Sequence, residues 1–176
     1  AKLHNQASRY VSLDLAEFLV YDTAMSDDDM RAVEHYLDQK FALGRFAPTP
    51  APTPRPTWWS QPDATNLQLW LRADSLSCVS GDAVASWSDS SSNGYTASQT
   101  ASEYRPECVG SLSALNDHPA VRFGESSMTM LTLGADPLYA TGTGLTVIAA
   151  GGHGGEDSEA PVPFHEGRYG DEGTSS

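Results

Sequence analysis

Glu17 is the one acidic residue inside the apolar run Leu15-Ala16-Glu17-Phe18-Leu19-Val20-Tyr21. Glycosidic hydrolysis would need a second carboxyl group about 5.5 Å away for retention, or farther for inversion. Alternate positions of one strand would supply such a pair, but Leu15 and Leu19 flank Glu17 at that spacing. Glu156, Asp157 and Glu159 are close in sequence, yet they sit in a glycine-rich stretch without strand character. No Gly-x-Ser-x-Gly elbow positions a nucleophilic serine. His153 and His165, with Glu156, Asp157 and Glu166, are metal-ligand types, but their spacing fits no helix-borne zinc motif and reads as a solvated acidic tail. Gly142–Gly144 and Gly151–Gly155 lack the lysine or following helix of a phosphate loop. The residue pattern therefore points away from an enzyme, with no catalytic residue assigned.

Binding chemistry is better represented. Aromatic faces stack on sugars, and Trp58, Trp59, Tyr95 and Tyr104 are the candidate ligand contacts. Trp58 and Trp59 also suit a linker anchor packed on a domain edge. Cys78 and Cys108 match no common zinc spacing. In an oxidising compartment they would close a loop of about 30 residues, worth about 3–4 kcal/mol in the chain-entropy account; two free thiols are the alternative.

The chain carries 23 acidic and 10 basic residues, a net charge of −13. That opposes nucleic-acid phosphates and anionic membrane surfaces as partners. No apolar run approaches the roughly 18 residues of a membrane span, so no membrane insertion is expected. The sequence begins at Ala1 without a basic-then-apolar leader, which leaves room for an earlier start.

Residues 48–57 hold five prolines in ten positions. They fix φ and remove amide donors, so the stretch reads as an extended, semi-rigid spacer. Before it, 15–21 reads as a strand, with Ala16, Phe18 and Val20 on one face and Glu17, Leu19 and Tyr21 on the other. Ser26 is a good N-cap for a helix over 27–41, whose first turn holds Asp27, Asp28 and Asp29, and Met30, Val33, Leu37 and Phe41 form its apolar stripe. Lys40 suits the last turn, and Gly44 the stop. The acidic cluster lacks the spacing of an EF-hand calcium loop.

After the spacer, short strands alternate with turn residues: 66–72 (Leu67, Leu69 and Leu71 against Gln68 and Trp70), 83–87, 95–99, 119–123, 128–133 and 145–150. Gly81-Asp82 and the run 89–94 are turn signals. This predicts an all-β sandwich with one short amphipathic helix near the N-terminus. Beyond Gly151 the pattern stops, and 151–176 reads as loop or disorder.

These residues carry a family resemblance. Trp70-Leu71-Arg72-Ala73-Asp74, then Gly81, Val84, Trp87, Asp89, Asn93-Gly94 and Gln99, resemble the opening of a laminin-G-like, concanavalin A-like jelly-roll domain (the lectin/glucanase superfamily). Arg105-Pro106, Asn116, Pro119-Ala120-Val121, Phe123 and Leu145-Thr146-Val147 continue it in order. Asp14-Leu15-Ala16-Glu17, Tyr21-Asp22, Met25-Ser26 and Tyr36-Leu37 resemble the closing strand and terminal helix of the same domain type. The family often has Ser-Gly-Asn-Gly where Ser91-Ser92-Asn93-Gly94 stands, and Asn-Gly where Asn116-Asp117 stands.

The resemblance implies four parts: 1–47 as the end of one domain, 48–57 as linker, 58–150 as the start of a second, incomplete domain, and 151–176 as tail. A window cut from tandem copies is the simplest account. First and last strands are neighbours in such sandwiches, so 13–21 is expected to pair with 66–72, with Trp70 and Trp87 in the core. The implied function is a non-catalytic carbohydrate-binding or adhesion module of a larger bacterial secreted or surface protein. Its partners would be a glycan or an extracellular protein, beside neighbouring domains of the same polypeptide. No cofactor is assigned; some laminin-G domains use calcium at the rim, but no ligand set can be placed here. An accessory domain of a secreted glycoside hydrolase and a structural spacer are the alternatives.

Overall fold

The computed structural model describes residues 12–44, 62, 64–124, 128–134, 145–153 and 167–169. Nine strands and one helix lie along it: β1 (Leu13–Tyr21), α1 (Asp27–Phe41), β2 (Leu67–Arg72), β3 (Ser86–Ser88), β4 (Thr96–Ser98), β5 (Glu107–Leu112), β6 (His118–Phe123), β7 (Thr132–Leu133), β8 (Leu145–His153) and β9 (Gly167–Tyr169). They form two antiparallel sheets. The larger has the order β5-β6-β1-β8-β9, with β2 also paired to β1; the smaller is β3-β4-β7.

β1, from before the spacer, is an interior strand of the sheet built after it. Its first half pairs with β6 (Leu13↔Phe123 to Leu15↔Val121) and its second half with β2 (Glu17↔Arg72 to Tyr21↔Leu67). β8 runs along its other edge from Leu13↔His153 to Tyr21↔Thr146. The expected pairing of 13–21 with the opening strand is thus present. A strand this apolar would be costly as a free edge, and here both edges are used.

The larger sheet is a middle layer. Beneath α1 lie Ala16, Leu19, Tyr21, Leu67, Trp70, Leu115, Ala120, Ile148 and Ala150, which meet Val33, Leu37 and Phe41 of the helix. On the opposite face Val20, Leu69, Leu71, Cys108 and Val121 pack with Val84, Trp87 and Ala97 towards the smaller sheet. Burial of each large aliphatic or aromatic side chain contributes about 1.5–3 kcal/mol. The architecture is therefore β-rich and sandwich-like, with a helix on the outer face.

Two bulges correct the expected alternation. The β1–β8 register shifts between Leu15 and Glu17, so Ala16 joins Glu17 on the helix side instead of sharing a face with Phe18 and Val20. The β1–β2 register shifts at Gln68, which puts Leu67 on the helix side with Trp70 and away from Leu69 and Leu71. A perfect period of two cannot register either extra residue.

Local chemistry explains the remaining boundaries. The Ser26 side chain accepts from the Asp29 amide, and Asp27, Asp28 and Asp29 occupy the first turn. The helix stops two residues before the expected Gly44, at Ala42, which takes the left-handed conformation (φ 51°). The helix end is held from outside, since the Asn116 side-chain amide donates to the Lys40 carbonyl at 3.1 Å. Asn116 and Asp117 both adopt positive φ (54° and 60°), a conformation that Asn and Asp tolerate better than most residues.

β5 is an element that the sequence reading omits; Gly110 and Ser111 interrupt its apolar pattern. Its outer edge is covered by residues 79–84. The Gly81 amide donates to the Cys108 carbonyl, the Cys108 amide to Asp82 and the Val84 amide to Pro106. The Cys78–Cys108 disulfide ties this strap to the strand.

The pattern also does not end at Gly151. β8 runs on to His153, and β9 pairs with Leu145–Val147. Glycines carry no side-chain signal, but Gly151 has a steric one, because a Cβ there would lie 2.3 Å from the Asp14 carbonyl oxygen at the bulge. Gly152 has open space. Gly151→Ala is expected to cost about 1–3 kcal/mol and Gly152→Ala to be neutral or slightly stabilising. Urea melts of both variants check this, and equal effects would contradict the close approach.

Candidate functional site

Alternation with Leu19 and Tyr21 puts Glu17 on the α1 side, where its side chain is buried. A carboxylate in that position must be met by donors or by a cation. Tyr36 and Lys40, four apart on one helical face, provide two. The Tyr36 hydroxyl donates to Glu17 Oε1 at 2.9 Å, and Lys40 Nζ donates to the same oxygen. Trp70 Nε1, from β2, donates to Oε2 at 3.1 Å.

The chain of charges continues outward. Lys40 Nζ also reaches Asp74 Oδ2 at 2.7 Å, and Arg72 holds Asp74 through both Nε (2.9 Å) and Nη2 (3.0 Å). The guanidinium lies 4.8 Å from the centroid of the Trp70 ring, and Lys40 Nζ lies 5.3 Å from that of Phe41. Glu17, Lys40, Asp74 and Arg72 therefore alternate in sign from the interior to the surface. The first two come from before the spacer, the last two from after it.

Burial pushes the Tyr36 hydroxyl well above the ordinary tyrosine range, and the Glu17 carboxylate that accepts its proton pushes the same way. The hydrogen bond to Asp74 raises the Arg72 guanidinium against the opposing effect of burial. Burial raises the Asp74 carboxyl, but hydrogen bonds from Arg72 and Lys40 outweigh it and hold Asp74 below its usual range.

A second buried acid, Asp14, is met by Arg122 at 2.7 and 2.9 Å. Asp89 is likewise engaged, accepting from the Trp70 and Ser91 amides and from the Ser91 hydroxyl. Each of these carboxylates has structural donors, which makes it a joint between elements. Among the described residues no group of three or more His, Cys, Asp or Glu side chains is placed to hold a metal ion. No helix among them is long and apolar enough to cross a membrane.

The candidate sugar-contacting residues separate. Tyr95 packs inward against the inter-sheet core, so only part of its ring is presented. Tyr104 is 39% exposed on a short 3-10 turn, and its carbonyl accepts from the Met130 amide. Trp58, Trp59, the proline spacer, Glu156, Asp157, Glu159, His165 and Glu166 lie outside the described residues. Trp70 and Trp87 are buried, and Trp87 Nε1 donates to the Arg72 carbonyl. The sequence reading sought an acidic partner near Glu17 on its own strand. The available signal was different: a buried acid in a strand calls for a cation, and Lys40 shares a helical face with Tyr36.

No protein-family model matches the chain, and no curated protein or solved structure does either.

Removal of Lys40 would leave Glu17 buried beside neutral donors alone. Lys40→Met is expected to cost about 3–5 kcal/mol. Adding Glu17→Gln, which keeps the side-chain shape and one acceptor oxygen but removes the charge, should recover about 1–3 kcal/mol in a double-mutant cycle. Strict additivity would contradict the coupling.

The pH dependence has two limbs. Tyr36 is raised in the folded state, so its contribution is whole below the ordinary value of about 10 and is lost as pH rises beyond it. Asp74 is lowered, so its contribution is present above the ordinary value of about 3.9 and is lost as pH falls. Tyr36→Phe is expected to flatten the alkaline slope of stability and Asp74→Asn the acid slope. Unchanged slopes in pH-resolved urea melts would refute the assignments.

Proposed function

We propose that the chain joins the closing strand and helix of one laminin-G-like, concanavalin A-like jelly-roll to the opening of another. On this reading it serves as a non-catalytic carbohydrate-binding or adhesion module of a larger extracellular or cell-surface protein. The observation that carries this reading is the joint between the two parts. β1 and α1 dock on β2 through Glu17, Lys40, Trp70 and Asp74, as an ending and an opening of one architecture would.

Three features add support. The Cys78–Cys108 disulfide suits an oxidising compartment. The net charge of −13 disfavours polyanionic partners. Glu17, Asp14 and Asp89 are engaged in structural hydrogen bonds and do not form an open acid–base pair. Among the described residues Tyr104 is the exposed aromatic ring offered to a sugar face, next to Met130.

A glycan array probed with the whole chain, followed by titration calorimetry on any hit, tests this reading. Tyr104→Ala is expected to weaken binding at least about tenfold, a loss of 1.4 kcal/mol or more, with no change in melting temperature. Silence across the array from folded protein would overturn carbohydrate binding and leave the spacer role.

A further inference from the structure

We propose that the seat holding β1 and α1 is a docking site for the closing strand–helix segment of a second copy of this module, so that residues 12–44 are exchangeable between copies. This rests on the tandem-module reading above. The seat is made entirely of residues after the spacer: β2 and β6 along one edge of β1, β8 along the other, and Leu67, Trp70, Leu115 and Ile148 beneath the helix.

Charge supports exchange as a unit. At the Glu17 joint the segment contains the Glu17–Lys40 pair and the seat contains the Arg72–Asp74 pair, so each half brings its own ion pair there, while the Asp14–Arg122 pair forms only across the seam. Docking interleaves the two pairs through the Lys40–Asp74 contact. At this joint no unpaired charge has to be buried on rejoining, and Asp14 gains its cation from the seat as it docks.

The partner is specified by polar contacts as well as apolar area. Trp70 Nε1 seeks an acid at the position immediately after a strand bulge. Asp74 seeks a cation in the last helical turn, and the Asn116 amide seeks the helix's terminal carbonyl. At the opposite end, Thr146 Oγ1 accepts from the Met25 amide and donates to the Thr23 carbonyl, which fixes the corner between strand and helix.

The tether permits either source. α1 rises about 1.5 Å per residue, so its end lies about 22 Å from the corner at which β2 begins. Residues 45–61 would reach about 50 Å at the polyproline rise of about 3.1 Å per residue. A tether more than twice the span imposes only a modest effective concentration, roughly millimolar. A segment from another copy competes once its own concentration reaches that range.

The test is to unfold the whole chain in urea, with its disulfide intact, and refold it with fluorescein-labelled peptide 12–44 held at several times the tether's effective concentration of roughly a millimolar. Gel filtration then separates chain from free peptide. The expected result is label co-eluting with refolded chain, whose own 12–44 segment becomes protease-sensitive. A peptide carrying Glu17→Gln and Lys40→Met should incorporate at least about tenfold less. Full refolding with all label in the free-peptide peak would overturn the proposal, as would equal incorporation of the substituted peptide. The same fractions applied to the glycan array separate the two ideas. Incorporation without glycan binding sinks only the carbohydrate reading, and glycan binding without incorporation sinks only the exchange.

Discussion

A carboxylate buried between a sheet and a helix constrains this molecule more than any other group. Glu17 cannot sit in its strand without donors, and meeting it ties three elements together: β1 carries the acid, α1 supplies Tyr36 and Lys40, and β2 supplies Trp70. The requirement fixes the helix azimuth, because Tyr36 and Lys40 must face down. It also fixes the identity of the neighbouring strand, because Trp70 must reach Oε2. A sliding helix or a strand slipped by one residue would strand a buried charge. Apolar contact alone would tolerate far more variation in register.

The rest of the sheet manages what that joint creates. A strand used on both edges needs partners of matching length, and β2 and β6 share one edge where a single strand would fall short. The bulge just before Glu17 brings the Asp14 carbonyl against Gly151. The outer side of β2 is occupied by the 89–93 loop, in which the Ser90 amide donates to Trp70 and the Asn93 side chain donates to the Leu67 and Gln68 carbonyls. The edge of β5 is closed by the disulfide-tied strap. Backbone groups that would otherwise invite foreign strands are thereby used internally.

Much of this was legible in the residues. The Ser26 cap, the Met30-Val33-Leu37-Phe41 stripe and the apolar strand before it are local signals, and local signals set α1 and β1. The burial of Trp70 and Trp87 and the pairing of 13–21 with 66–72 are what the family resemblance implies, and both are present. The bulges at Ala16 and Gln68 were not legible, since each depends on what a partner strand demands. β5 escaped notice because Gly110 and Ser111 dilute its alternation. The Lys40–Asp74 contact joins residues 34 apart across a proline-rich stretch, and no periodicity spans that distance. The aromatic candidates fared unevenly: ring type marks what could stack, but exposure, which divides Tyr104 from Tyr95, is a property of the packed sheets.

The central claim is that the segment before the spacer and the body after it are one cooperative structure. Native-state hydrogen exchange reads this directly, strand by strand. The account predicts that the slowest amides of β1, β2 and β8 exchange with one common free energy, equal to that of global unfolding. Amides of β1 that open at a markedly lower free energy, while those of β6 and β8 stay protected, would contradict it.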